Sequence, residues 1–283
     1  MSLIEQRLHD LGAAAAQSPA IDAVIERGER LRRQRRTRRV AVTASIAAAT
    51  LLVVPVMSVT GHRPLSTSAA DGFLNSVADT AAAQQAVDAS KAPYWYTKTA
   101  VVYGSQHFTR ESWLGHYGPG RLIQNDGSVG ATSLDTAVFP AGSTSLSWDQ
   151  LFALPRNPDA LYDWLKQAVG QAGHDVDSEM FVAVGDLLRE SPAPPTLRQA
   201  LYKVAAKIPN VDLTADVKDA LGRQATIVSR ADPDGTGIVR YFIDARTGAL
   251  LEEQDINADG STGFQSTVVT SGPVDSTTTI PRS

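Results

Sequence analysis

Val40 to Val59 reads VAVTASIAAATLLVVPVMSV, twenty residues without a charge. A helix rising about 1.5 Å per residue crosses a hydrocarbon core of about 30 Å in about 20 residues. Immediately before it, Arg30 to Arg39 (RLRRQRRTRR) holds seven arginines. Arginine beside a span stays on the cytoplasmic side. The sequence therefore predicts a single-pass protein of the cell membrane. A cytoplasmic basic arm (1–39) leads into a transmembrane helix (40–59), and the rest is extracytoplasmic. Pro55 is tolerated, since proline is commoner in membrane helices than in soluble ones. A cleaved signal sequence is the competing reading. Ser68-Ala69-Ala70 offers small residues for cleavage, and Thr37-Arg38-Arg39 is a trace of a twin-arginine pattern. The apolar run is longer than a signal requires, and its basic flank begins only after about thirty residues, which favours a retained anchor.

Charge divides along the same line. Residues 1–39 hold nine Lys/Arg and five Asp/Glu, whereas residues 60–283 hold 17 and 25. A basic arm suits an anionic inner leaflet. An acidic outer part excludes nucleic acid as its natural partner. There is no cysteine, so disulfides, thiolate nucleophiles and zinc–cysteine sites are excluded. The outer part, about 220 residues, is long enough to bury its own core.

Within the arm, Leu3, Ile4, Leu8 and Leu11 share one helical face, as do Ile21, Val24 and Ile25 after a Ser18-Pro19 start. Such a tail lies on the lipid surface, or docks a cytosolic partner such as a sigma factor through residues 1–39. Residues 60–90 read as a polar linker followed by an alanine-rich helix. Residues 91–275 read as one α+β domain. Tyr94–Gly104, His107–Tyr117 and Arg121–Gln124 alternate as an antiparallel meander, with Asp126-Gly127 as its next turn. Four helices follow, opened at Ser147, Asn157-Pro158, Asp177 and Pro194-Pro195. Strands return at Gln224–Arg230, Gly237–Asp244, Ala249–Asp255 and Gly263–Ser271. The expected fold is a curved antiparallel sheet with a helical insertion packed against it. The Thr/Ser-rich end, 276–283, is expected to be disordered.

The phrases TAVVYGSQ, RESWLG, SWDQLFALPRNPDALYDWLK, DLLRESPAPPTLRQALYKVAAKIPNV and YFIDARTGALLEEQ resemble an actinobacterial family of single-pass membrane proteins of unknown biochemical function. Members are often encoded near extracytoplasmic-function sigma factors, so the resemblance implies envelope signalling. The strand order, with its late Asp-x-x-Thr-Gly turn, is also similar to the half-barrels of periplasmic lipoprotein carriers and sensors. This is an analogy of fold, and the helical insertion departs from the carriers.

No residue set reads as catalytic, and no cofactor is implied. Gly-x-Ser-x-Gly, Ser-x-x-Lys, His-Glu-x-x-His and phosphate-loop patterns are absent. Glu111, Asp126, Asp175, Asp177 and Glu179 suit acid–base pairs in residue type, but also the solubilising surface of an acidic domain. His107 and His116 fall on opposite faces of a strand, and His174 falls in a loop, so they do not make a zinc site. Asp255, Asn257 and Asp259 match the first half of a calcium loop. Ser266 stands where the bidentate carboxylate belongs, and the flanks are strands. The aromatics are the most suggestive group. Tyr94, Tyr96, Trp113, Trp148 and Trp164 either fill a core or line an apolar groove for a lipid, an acyl chain or a peptide. The sequence thus reads as a non-enzymatic sensor or ligand-binding module. An anti-sigma-like regulator acting through its arm and an envelope hydrolase with a dispersed site are the alternatives.

Overall fold

The structure is a computed structural model that describes residues 67–85, 89–125, 129–170 and 175–281. These lie in one compact unit, Thr60–Ser283. The arm, the 40–59 span, Asp126-Gly127 and His174 fall outside the described residues. Among the described residues no helix is long and apolar enough to cross a membrane.

Helix α1 (Thr67–Ala83) is followed by β1 (Tyr94–Tyr103), β2 (Gln106–Gly115), β3 (Gly120–Gln124) and β4 (Val129–Leu134). A small hairpin, β5 (Val138–Ala141) and β6 (Thr144–Ser147), leads into α2 (Trp148–Ala153), α3 (Pro158–Val169), α4 (Val176–Arg189) and α5 (Pro195–Ala205). The chain ends in β7 (Val211–Lys218), β8 (Gln224–Ala231), β9 (Gly237–Asp244), β10 (Ala249–Asn257) and β11 (Thr262–Val274). The result is α+β: a nine-stranded sheet in the order β4-β3-β2-β1-β11-β10-β9-β8-β7, with helices on one face. Every neighbouring pair in it is antiparallel. Two meanders are thus joined by one long-range pairing, in which Tyr94 lies opposite Val274 and Tyr103 opposite Phe264. Five strand pairs carry register shifts. Such bulges bend a strand and sharpen its twist.

The helix starts follow their sequence signals. Ser147 and Gln150 form a reciprocal capping box at α2. Asn157 caps α3, with Pro158 in its first turn. Asp175 caps α4 by accepting from the Ser178 amide at 2.9 Å. The buried Arg230 of β8 donates to the same carboxylate at 2.5 Å and to the Ser178 hydroxyl, fastening the head of α4 to the sheet. Burial alone would raise the Asp175 carboxyl. The Ser178 bonds and the Arg230 charge outweigh it and hold the group below its usual range.

At the other end of the helix layer, Gly248 in the β9–β10 turn accepts from Arg198 at 2.9 Å and from the Tyr202 hydroxyl at 2.8 Å. Gly248 has φ +68°, and a Cβ there would stand 2.8 Å from that of Ala81 on α1. Only glycine meets both demands at this junction. Burial pushes the Tyr202 hydroxyl up to about 12, with the Arg198 charge and hydrogen bond opposing it.

Residues 276–281 lie against the sheet. A turn closed by Ser276 and Thr279 reverses the chain. The Thr277 and Thr279 carbonyls then accept hydrogen bonds from Arg121 and Trp113 on β3 and β2. The Ser/Thr composition gave no sign of this, because the tail is held by its backbone.

Helix α4 crosses β9 closely at Gly185, where any Cβ would overlap the Tyr241 ring. Helix propensity favours alanine over glycine by about 1 kcal/mol, but overpacking a core costs about 1–3 kcal/mol. Gly185→Ala is therefore expected to lower stability by up to about 2 kcal/mol in urea unfolding. A more stable variant would show that the approach is loose.

Candidate functional site

Alternation along β1 and β2 sends neighbouring side chains to opposite faces of the sheet. Trp95 and Leu114 pack into the helix-side core, whereas Tyr94, Tyr96 and Trp113 belong to a separate cluster with Ile123 and Val274. The sheet therefore divides the five aromatic candidates. Tyr94, Tyr96 and Trp113 come together on the outer face. Trp148 and Trp164 belong to the helix side. The Trp148 indole, 1 % exposed, stacks on His116 at 4.6 Å and meets the edge of Phe139 at 5.8 Å. A cavity between α1, α4, α5 and the sheet measures about 10 Å³, room for a single water at most. Among the described residues that line it, this cavity is too small for an acyl chain.

The outer cluster is arranged differently. Tyr96 and Trp113 sit opposite one another in the β1–β2 register, their rings 4.9 Å apart and tilted by 57°. Arg121, opposite Trp113 on β3, places its guanidinium 5.4 Å from the indole centre. Tyr96 donates to Glu111 at 2.6 Å, and Lys98 pairs with the second Glu111 oxygen at 3.2 Å. Burial raises the Tyr96 hydroxyl, and the Glu111 hydrogen bond and charge raise it further. For Glu111, burial acts upward, but the Tyr96 bond and the Lys98 and Arg121 charges prevail and hold it low. The aromatic floor is thereby rimmed by a fixed carboxylate and two cations.

Two donors on this floor meet the chain's own tail. Trp113 Nε1 donates to the Thr279 carbonyl at 2.7 Å, and Arg121 Nη1 to the Thr277 carbonyl at 3.1 Å. The two carbonyls belong to the Ser276–Thr279 turn, which presents both of them to the sheet. No sequence signal pointed to Arg121, Glu111 or Lys98 as neighbours of the aromatics; the β1–β2–β3 register brings them there.

The remaining candidates are scattered. Asp175 caps α4, and Asp177 and Glu179 sit in its first turn, where a carboxylate suits the helix dipole. Glu111 is on the outer face, apart from them. His107 lies near the exposed end of β2. His116, 7 % exposed, is sandwiched between Tyr117 and Trp148, with Nε2 3.2 Å from Asp149. The 255–261 segment is the end of β10 and the turn that joins it to β11. Asp259 accepts from the Ser261 hydroxyl at 2.6 Å and amide at 2.9 Å, which hold its carboxyl low, and Asn257 donates to Ser261 at 2.9 Å. Both Ser261 donors thus engage the one oxygen, Asp259 Oδ1. Among the described residues no three His, Cys, Asp or Glu side chains converge as a metal site.

No family model matches the chain, and no curated protein matches it. Among solved structures it is similar to MucB in the Pseudomonas aeruginosa MucA/MucB complex, at 14 % identity and TM-score 0.34, over 72 % of this chain and 56 % of that one. A structure of MucB with MucA(peri) gives 14 % and 0.33 over 71 % and 54 %. A structure of MucB alone gives 16 % and 0.35 over 76 % and 61 %. The chain spans a little over half the length of these neighbours, and similarity at this level says nothing of partner or activity.

The Tyr96–Glu111 contact generates a pH prediction. A carboxyl held low when folded adds stability above its unfolded range and loses it as pH falls through the folded value. Glu111→Gln is expected to lower the Tm at pH 7, with the gap to the natural protein closing below about pH 4. A gap independent of pH would show that the carboxylate charge contributes nothing.

Proposed function

We propose that this chain is a single-pass protein of the cell envelope whose large domain lies outside the cytoplasm. It works by binding, without catalysis, as a sensor module. The uncharged Val40–Val59 run behind seven arginines supports the topology, and the acidic balance of the outer domain supports a partner other than nucleic acid.

The division of the aromatics by the sheet carries the binding reading. Trp148 is taken up by core, whereas Tyr94, Tyr96 and Trp113 form a floor whose polar neighbours already engage backbone. A domain so built reads a protein segment laid on its sheet in preference to a lipid enclosed within it. A single helix passes such an event inward by altered association or by exposing a cleavage site.

The test uses the full chain in its own membrane. A reporter that folds only outside the cytoplasm is expected to be active at the C-terminus and silent at the N-terminus; the reverse pattern would overturn the topology. A photo-crosslinking residue at Tyr94 is expected to give protein adducts in cells, and one at Trp164 only internal ones. Lipid adducts concentrated at Trp164 would move the site to the helix side.

A further inference from the structure

The last residues of the chain make a device that binding on the outer face does not by itself require. From within the Ser276–Thr279 turn, residues 277–281 pass over the Tyr96–Trp113 floor. The segment contributes two carbonyls, which accept hydrogen bonds from Arg121 and Trp113. Its proline, Pro281, rests on Gly272, where a Cβ would stand 3.2 Å from the proline ring carbons. Its side chains add little. Thr278, Thr279 and Ile280 are exposed, Ile280 by 62 %. Underneath, Tyr96 and Trp113 are 1 % and 3 % exposed. The floor is thus sealed by a strap of backbone and one proline.

Such recognition is not tied to one sequence. An indole N–H and a guanidinium on two carbonyls of a turn hold backbone without reading its side chains, and the bare Gly272 backbone admits a ring four residues past the first carbonyl. We propose that the tail is a resident competitor in a peptide groove. The groove's partner is an uncharged, Ser/Thr-rich protein segment that turns and then carries a proline, the chemistry that residues 276–281 themselves display. This rests on the outer face being a binding surface, and adds what it takes and what guards it. A tail tethered one turn away competes at an effective concentration of about millimolar, so the groove opens only to a segment that outbids it or when the tail is removed.

The experiment uses the full-length chain in nanodiscs and a form ending at Asp275. The probe is a fluorescent peptide of residues 274–283 (VDSTTTIPRS). Saturable binding to the shortened form is expected, at least tenfold tighter than to the full-length chain. Trp113→Phe, which removes the indole donor, is expected to weaken that binding about fivefold to tenfold. Gly272→Val, which fills the proline seat, is expected to abolish it. Should the shortened chain misfold, a protease site inserted after Asp275, cut once the protein has folded, allows the same comparison. Equal binding to both forms, or none to a folded shortened form, overturns the proposal and leaves the reporter and crosslinking results above untouched. A concentration-dependent dimer of the full-length chain that disappears on shortening would make a second copy's tail the occupant, and would overturn the partner named here.

Discussion

The structure depends on one pairing, that of β1 with β11. These strands lie some 160 residues apart in the chain, yet align along the length of β1 at the centre of the sheet. Each flanking meander is local and forms hairpin by hairpin. Joining them closes a long loop, whose entropic cost grows only slowly with length. The join also fixes register, and a slip of one residue would exchange the two faces of β1. Trp95 would leave the core and Tyr96 would enter it. The helix layer and the outer aromatic floor both follow from this alignment.

The helices are fastened to that sheet by arginine. Arg230 ties β8 to the head of α4, Arg189 at its tail pairs with Glu253 of β10, and Arg198 of α5 reaches the β9–β10 turn. Both Arg230 and Glu253 are buried. Removing one member of such a pair strands a charge in the interior, at about 3–5 kcal/mol. On the opposite face Glu252 is also buried, and it is satisfied by the Ala220 amide, Thr267 and Gln254 instead of a cation. The buried charges thus specify how the layers meet, while the apolar core supplies the bulk of the driving force.

Much of this was legible in the sequence. The strand runs read from the sequence match β1, β2, β3 and β8 to β11 to within three residues at each end, β11 extending three residues further, to Val274, and Asn157-Pro158 and Ser147 mark helix starts where they occur. β4, the β5–β6 hairpin and β7 were not read. They are short, or polar on one face, or follow a helix without a strong turn signal, as Val211–Lys218 does after Pro209-Asn210. The aromatics stand out in the sequence as a group but cannot be sorted there, because the sorting depends on strand partners. Trp148 and Trp113 look alike in sequence and lie on opposite sides of the sheet. The tail's role was hidden for a related reason, since it is held through carbonyls that every residue possesses.

The β1–β11 register is open to a direct chemical measurement, because the chain has no cysteine of its own. Val102 lies opposite Gln265 across the join, within reach of a disulfide. Val102→Cys with Gln265→Cys should oxidise to an intramolecular bond in the folded protein, while Val101→Cys with Gln265→Cys should not. Bonding in the second pair and not the first would mean a strand displaced by one residue, with the aromatic floor facing the helices.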